Sequence, residues 1–139
     1  MSLEEFEFIK KVGEGAYSSV YKVKRTVDNK IYALKQVEMS DQSTKENALN
    51  EIRIIASIHH NNVISYKEAF LDEETSSLCI IMEYADNGDL FQMIKYHQEN
   101  STYFLESDIW KIFIQIVRGL RVILSLLNSS KFTNISGAV

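Results

Sequence analysis

The residues best placed to do chemistry are a glycine-rich turn at 13–18, a lysine at 35 and a glutamate at 51. Gly13-x-Gly15-x-x-Ser18-x-Val20 lies between two segments that read as strands. In that setting backbone N–H groups can lie over phosphate oxygens with no Cβ in the way. A plain hairpin turn that merely needs residues tolerant of positive φ fits the same pattern, so both readings stay open. A dinucleotide fold does not fit: its glycine fingerprint opens a helix, whereas Ser19 onward alternates like a strand. Fifteen residues past Val20 stands Lys35, in Tyr32-Ala33-Leu34-Lys35. Small Ala33 can face a flat ring while Lys35, two residues on and on the same strand face, reaches phosphates. Glu51, sixteen residues further, could neutralise and orient a partly desolvated Lys35 through a charge-assisted contact. Taken singly, each is an ordinary surface charge.

The elements that must hold these groups can be read from periodicity. Phe6-Glu7-Phe8-Ile9-Lys10-Lys11-Val12 alternates as a half-buried strand, Gly13-Glu14-Gly15 breaks it, and Ser19 to Lys24 alternates again. Asp28-Asn29 supplies turn chemistry before a third strand, Ile31 to Val37. Beyond a polar loop from Ser40 to Lys45, the apolar residues Leu49, Ile52, Ile55, Ala56 and Ile58 fall mostly at helical spacing, with Glu51 and Arg53 off that stripe. Val63 to Leu71 and Leu78 to Tyr84 read as two more strands around the acidic turn 72–76. Asp86-Asn87-Gly88-Asp89 leads into a helix from Leu90 to Tyr96 through an N-cap. A longer helix opens at Glu106-Ser107-Asp108. From Ile109 to Leu120 it is apolar nearly all round, which suits the middle of a larger core and predicts exposed apolar surface and aggregation where that core is missing.

Composition narrows the class. The chain has 139 residues, 45% hydrophobic and 24% charged, which fits one modest globular domain. A net charge of -4 with mixed signs leaves no basic stripe for nucleic acid or an anionic membrane. The single cysteine, Cys79, sits in an apolar run and reads as a buried thiol in a reducing compartment. The acidic start Met1-Ser2-Leu3-Glu4-Glu5 has no signal-peptide pattern, and no stretch reaches the roughly 18 apolar residues of a membrane span, so the expected setting is cytoplasmic.

Further motifs join the first three in order and spacing: Asn50-Glu51-Ile52-Arg53, His60-Asn61-Asn62-Val63-Ile64, Met82-Glu83-Tyr84 and Gly88-Asp89-Leu90. Together they resemble the small lobe of a eukaryotic protein kinase. The phrases Ser18-Ser19-Val20-Tyr21-Lys22-Val23 and Met82 to Leu90 lean toward the NIMA-related serine/threonine kinases. The resemblance implies an α+β fold, a five-stranded antiparallel sheet with the family's αC helix over residues 1–85, then the start of a helical large lobe over 86–120. It implies ATP as cofactor. Gly13, Glu14, Gly15, Ala16, Tyr17, Ser18, Ser19 and Val20 would cover its phosphates, Lys35 would hold the α- and β-phosphates, and Glu51 would pair with Lys35. Met82 would stand behind the adenine, the backbones of Glu83 and Ala85 would bond its edge, and Val12, Val20 and Ala33 would form an apolar roof. Two departures from the pattern are Ser18 for a third glycine, which would stiffen the loop, and Asn61 where the family commonly has proline.

The resemblance runs from about Leu3 to Leu120. The kinase signatures His-Arg-Asp, Asp-Phe-Gly and Ala-Pro-Glu do not occur in these 139 residues, so no catalytic aspartate and no magnesium ligands are assigned. Residues 121–139 resemble no kinase segment and read as an unrelated tail, from a retained intron or a frameshift. The expected function is therefore the ATP-binding portion of a serine/threonine kinase, catalytically incomplete as given. The alternatives are a non-catalytic kinase-like binding or regulatory module, or a product that folds poorly. Partners implied by the family are ATP and a protein substrate or regulator, in a cytoplasmic, ciliary, centrosomal or nuclear setting.

Overall fold

The computed structural model describes residues 2–39, 49–50, 52–54 and 56–133. Five strands, β1 (Phe6–Glu14), β2 (Ser18–Arg25), β3 (Ile31–Glu38), β4 (Tyr66–Asp72) and β5 (Ser77–Glu83), form one antiparallel sheet in the order β1-β2-β3-β5-β4. Helical backbone at 49–50, 52–54 and 56–57 is called α1 below. Two further helices follow, α2 (Leu90–Glu99) and α3 (Glu106–Thr133). The expected α+β architecture is thus observed.

The strands are fixed by their turns and by burial. Asn29 takes φ 57° at the β2–β3 turn. Asp28 accepts hydrogen bonds from the Tyr32 hydroxyl at 2.7 Å and from Lys30 N at 3.0 Å, which hold its carboxyl below the usual carboxylate range, the tyrosine contact most. At the β4–β5 turn Ser76 takes φ 49°, and Asp72 accepts from Thr75 N. β5 lies between β3 and β4, and its residues Ser77 to Ile81 are all buried.

Alternation sends β5 side chains into two clusters. Cys79 and Ile81 join Phe6, Val23 and Leu34 on one face, while Leu78 and Ile80 meet Val37, Ile52 and Tyr66 on the other. Ile52 thereby seats α1 on the second face. Over the first face the edge strands β1 and β4 approach each other, with Phe6 stacked on Phe70 at 6.1 Å. Cys79 is a free, fully buried thiol, and burial pushes its pKa up to about 11.

The described residues divide into two compact units, one drawn from 1–59 and 64–84, the other from 60–63 and 85–139. In the second, Asp89 caps α2 by accepting from Gln92 N at 2.7 Å, with Gly88 at φ 74° before it. The short segment 60–63 turns on itself, Val63 N donating to the His60 carbonyl at 3.0 Å, and lies against α3 at Gly119. A Cβ on Gly119 would stand 2.8 Å from the Asn62 carbonyl oxygen. Gly119→Val is accordingly expected to lower the melting temperature by several degrees. Overpacking costs about 1–3 kcal/mol, more than valine's helix-propensity gain over glycine of a few tenths, and a thermal melt reads the difference.

Three boundaries differ from the sequence reading. Residues 63–65 are not strand, because Val63 belongs to the turn on α3 and β4 starts at Tyr66. α2 continues through Glu99, with Lys95 paired to Glu99 at 3.6 Å. α3 runs past Leu120 to Thr133, since Val122, Ile123, Leu126 and Leu127 keep the helical period and no breaker intervenes. No helix among the described residues is long and apolar enough to cross a membrane.

Candidate nucleotide-binding site

The β1–β2 hairpin carries the glycine-rich turn. Gly13 pairs with Val20 and Glu14 with Ser19, and Gly15 N donates to the Ser18 carbonyl at 2.7 Å to close the turn. Glu38 N donates to the Tyr17 carbonyl at 3.1 Å, which ties the tip to the end of β3. The Tyr17 side chain is exposed.

Of the two readings of this turn, the one that needs positive φ is not met. Neither Gly13 nor Gly15 has positive φ; among the described glycines that conformation belongs to Gly88. Ser18 lies in extended backbone at the start of β2, so a serine fits there without strain. What glycine supplies is clearance. A Cβ on Gly15 would come within 3.1 Å of Ser18 Oγ, whereas one on Gly13 would meet Val20 at an ordinary 3.6 Å. The chain's own packing therefore leaves room for a side chain at 13, and its absence leaves the backbone open to an approaching group.

Strand register assembles the rest. Val20 pairs with Lys35, and Lys35 with Ile80; in the next row Lys22 pairs with Ala33, and Ala33 with Met82. Directly paired residues share a sheet face. Val20, Ala33, Lys35 and Met82 therefore form one partly buried patch beside the glycine turn; Val12, at a register irregularity in β1, is 42% exposed. Glu83 closes the strand. Its N–H donates to the Ser65 carbonyl at 2.9 Å, so a contact from Glu83 backbone to a ligand edge must come from its carbonyl. The Lys22 ammonium sits 4.7 Å over the Tyr84 ring.

Of the expected site residues, Val12, 13–20, Ala33, Lys35, Met82 and Glu83 fall in one compact unit. Ala85 begins the other unit, and Glu51 lies outside the described residues, as does Ile55 of the apolar stripe read for that segment. A concavity of about 430 Å³ lies on the opposite side of β3, lined by Glu14 to Ser19 of the glycine turn, whose residues the sequence reading named, and by Tyr21, Gln36, Glu38, Met39 and the β4–β5 turn, which it missed. Gln36 alternates with Lys35, so this hollow opens away from the patch. Its signal, the turn residues 75–77 lying beside the end of β3, depends on tertiary pairing and is invisible in a linear reading.

Residues 6–126 match the protein kinase domain family. The chain belongs to that family. Its relatives include the serine/threonine-protein kinase Nek1 of Mus musculus, 35% identical over 121 residues, covering 86% of this chain and 10% of that one. Probable serine/threonine-protein kinase nek2 of Dictyostelium discoideum is 32% identical over 87% of this chain and 29% of its own. The G2-specific protein kinase nim-1 of Neurospora crassa is 32% identical over 84% of this chain and 14% of its own. These are the NIMA-related kinases toward which the short phrases lean. The chain thus spans between a tenth and three-tenths of the length of these relatives. The matched kinase domain span ends at residue 126, inside α3.

Proposed function

We propose that residues 1–85 are the ATP-holding lobe of a serine/threonine protein kinase and that 86–120 begin its helical large lobe. The observation that carries this reading is the single sheet face on which Val20, Ala33, Lys35 and Met82 adjoin the glycine turn. The residues fit a nucleoside triphosphate. Val12, Val20 and Ala33 cover a flat ring, Met82 stands behind it, and the carbonyl of Glu83 meets its polar edge. Gly13 to Val20 lay backbone over the phosphates, and Lys35 neutralises the α- and β-phosphates. The nucleotide supplies the phosphoryl group that the family transfers to a protein hydroxyl.

The magnesium of the family finds no such fit. Among the described residues no three His, Cys, Asp or Glu side chains converge to hold a metal ion. The chain's own role is to bind and orient nucleotide, weakly, because this patch forms one wall of an enclosure. A protein substrate or regulator is the expected partner.

Gly13→Val tests the reading. The side chain fits beside Val20 and valine suits a strand, so the melting temperature should stay within a few degrees. ATP affinity by calorimetry or NMR titration should drop at least about tenfold, since the new methyls occupy the space the phosphates need. Unchanged affinity would remove the glycine turn from the site.

A further inference from the structure

We propose that Lys22 is a positioning residue of the nucleotide slot, closing the end opposite the glycine turn by stacking on Tyr84. The proposal rests on the nucleotide-binding reading of the patch and assigns its base end. Lys22 stands in β2 opposite Ala33, and Ala33 stands opposite Met82 in β5. Tyr84 follows Met82 by two residues, just past the end of that strand. Glu83 between them pairs with Tyr32, so Tyr84 leaves the sheet on the side of Ala33 away from Lys35. β3 lies between β2 and β5, and the Lys22 ammonium, 4.7 Å from the centroid of the Tyr84 ring, therefore reaches across a whole strand. The crossing is open because β3 presents only the Ala33 methyl in that row.

Strand pairing gives no reason for a cation at 22. Lys10 is its direct partner in β1, and like charges set opposite one another cost stability. The ammonium is engaged instead by the face of Tyr84, whose ring quadrupole attracts a cation, and both side chains are half-buried. The same end of β5 is fixed from its other side. Ser65 N donates to the Glu83 carboxylate at 3.1 Å, and Glu83 N donates to the Ser65 carbonyl at 2.9 Å. Glu83, whose carbonyl meets the edge of the ring, thus sits between two restraints. A wall fixed before the ligand arrives needs no ordering on binding, and the gain appears as affinity. The aliphatic stem of Lys22 adds apolar cover beside Ala33 while its charged head stays on Tyr84. The contribution of Lys22 therefore belongs to the base, as that of Lys35 belongs to the phosphates.

NMR titrations of the 139-residue chain with adenosine, ATP and inorganic tripolyphosphate separate the two ends of the slot. Lys22→Ala should raise the dissociation constants of adenosine and ATP by the same factor, at least about threefold, and leave that of tripolyphosphate unchanged. The melting temperature should not fall, since the variant also removes the like charge facing Lys10. Tyr84→Leu should weaken the same two ligands, and the double variant should lose no more than either single one. Lys22→Arg and Tyr84→Phe, which keep a cation over a ring, should stay within about twofold of wild type. Should Lys22→Ala fail to fold by circular dichroism, Lys22→Gln, which removes the cation and keeps most of the stem, is read in its place. A loss confined to ATP and tripolyphosphate would make Lys22 a plain counter-charge to phosphate and overturn the proposal. Additive losses in the double variant, or ATP and adenosine binding that Lys22→Ala leaves unchanged, would overturn it as well. A wild-type chain that binds neither adenosine nor ATP would overturn the nucleotide reading itself, and the proposal with it.

Discussion

Incubated with radiolabelled ATP, magnesium and a generic acceptor protein, the 139-residue chain is expected to transfer no phosphate above background. Phosphoryl transfer is catalysed by positioning and charge neutralisation, and it needs a carboxylate near the incoming hydroxyl and metal ions across the β- and γ-phosphate oxygens. Among the described residues no metal-binding group of carboxylates forms, and residues 121–139 contain no Asp, Glu or His to serve as a base. General-base assistance alone is worth about 10²–10⁴-fold, and loss of the electrostatic clamp removes a further large factor. Joining the remaining kinase domain of a NIMA-related relative after Leu120 should restore turnover by several orders of magnitude. Phosphorylation by the chain alone that vanishes with Lys35→Ala would show that these residues suffice for catalysis.

Lys35→Ala should reduce ATP binding by about 10- to 100-fold, to below detection for a weak site, while leaving the circular dichroism spectrum unchanged. A charge-assisted contact contributes about 1.5–3 kcal/mol, and the alanine keeps the strand register that holds β2 to β5 through β3. Gln36→Ala is the matched control. Its side chain bonds Thr75 Oγ1 at 3.1 Å on the opposite face and should leave nucleotide affinity as it was. Equal losses from both variants would trace the effect to the fold, and no loss from Lys35→Ala would take the lysine out of the site. Because the Lys35 contribution is electrostatic, raising the salt concentration should shrink the difference between wild type and variant.

Much of the sheet was legible because each strand carries its own two-residue alternation and each hairpin its own turn chemistry. The Asp28-Asn29 turn and the apolar run around Cys79 needed no knowledge of their neighbours. What failed to show depended on contacts distant in sequence. Val63 reads as strand until Gly119 is seen to receive its segment, and the length of α3 follows from a period that continues after the family motifs fade. Residues 13–18 were legible as a turn that needs glycine, but conformational freedom and clearance leave the same glycine in the sequence, and only the backbone angles separate them. The face shared by Lys35, Ala33 and Met82 was half visible. Alternation places Ala33 with Lys35, but their alignment with Val20 and Met82 required the register.

The strand order also governs how this chain can leave the ribosome. β1, β2 and β3 are consecutive hairpins and can pair as soon as they emerge, but the open edge of β3 accepts β5, with Glu38 beside Ser77. β4 is synthesised before β5 and has β5 as its sheet neighbour. At about 5–20 residues per second the nascent three-stranded meander therefore waits seconds with its β3 edge bare, open to pairing with other chains. Completion of the sheet is a single late event that seats β5 and β4 together, and a translational pause just after residue 38 would lengthen the period of greatest aggregation hazard.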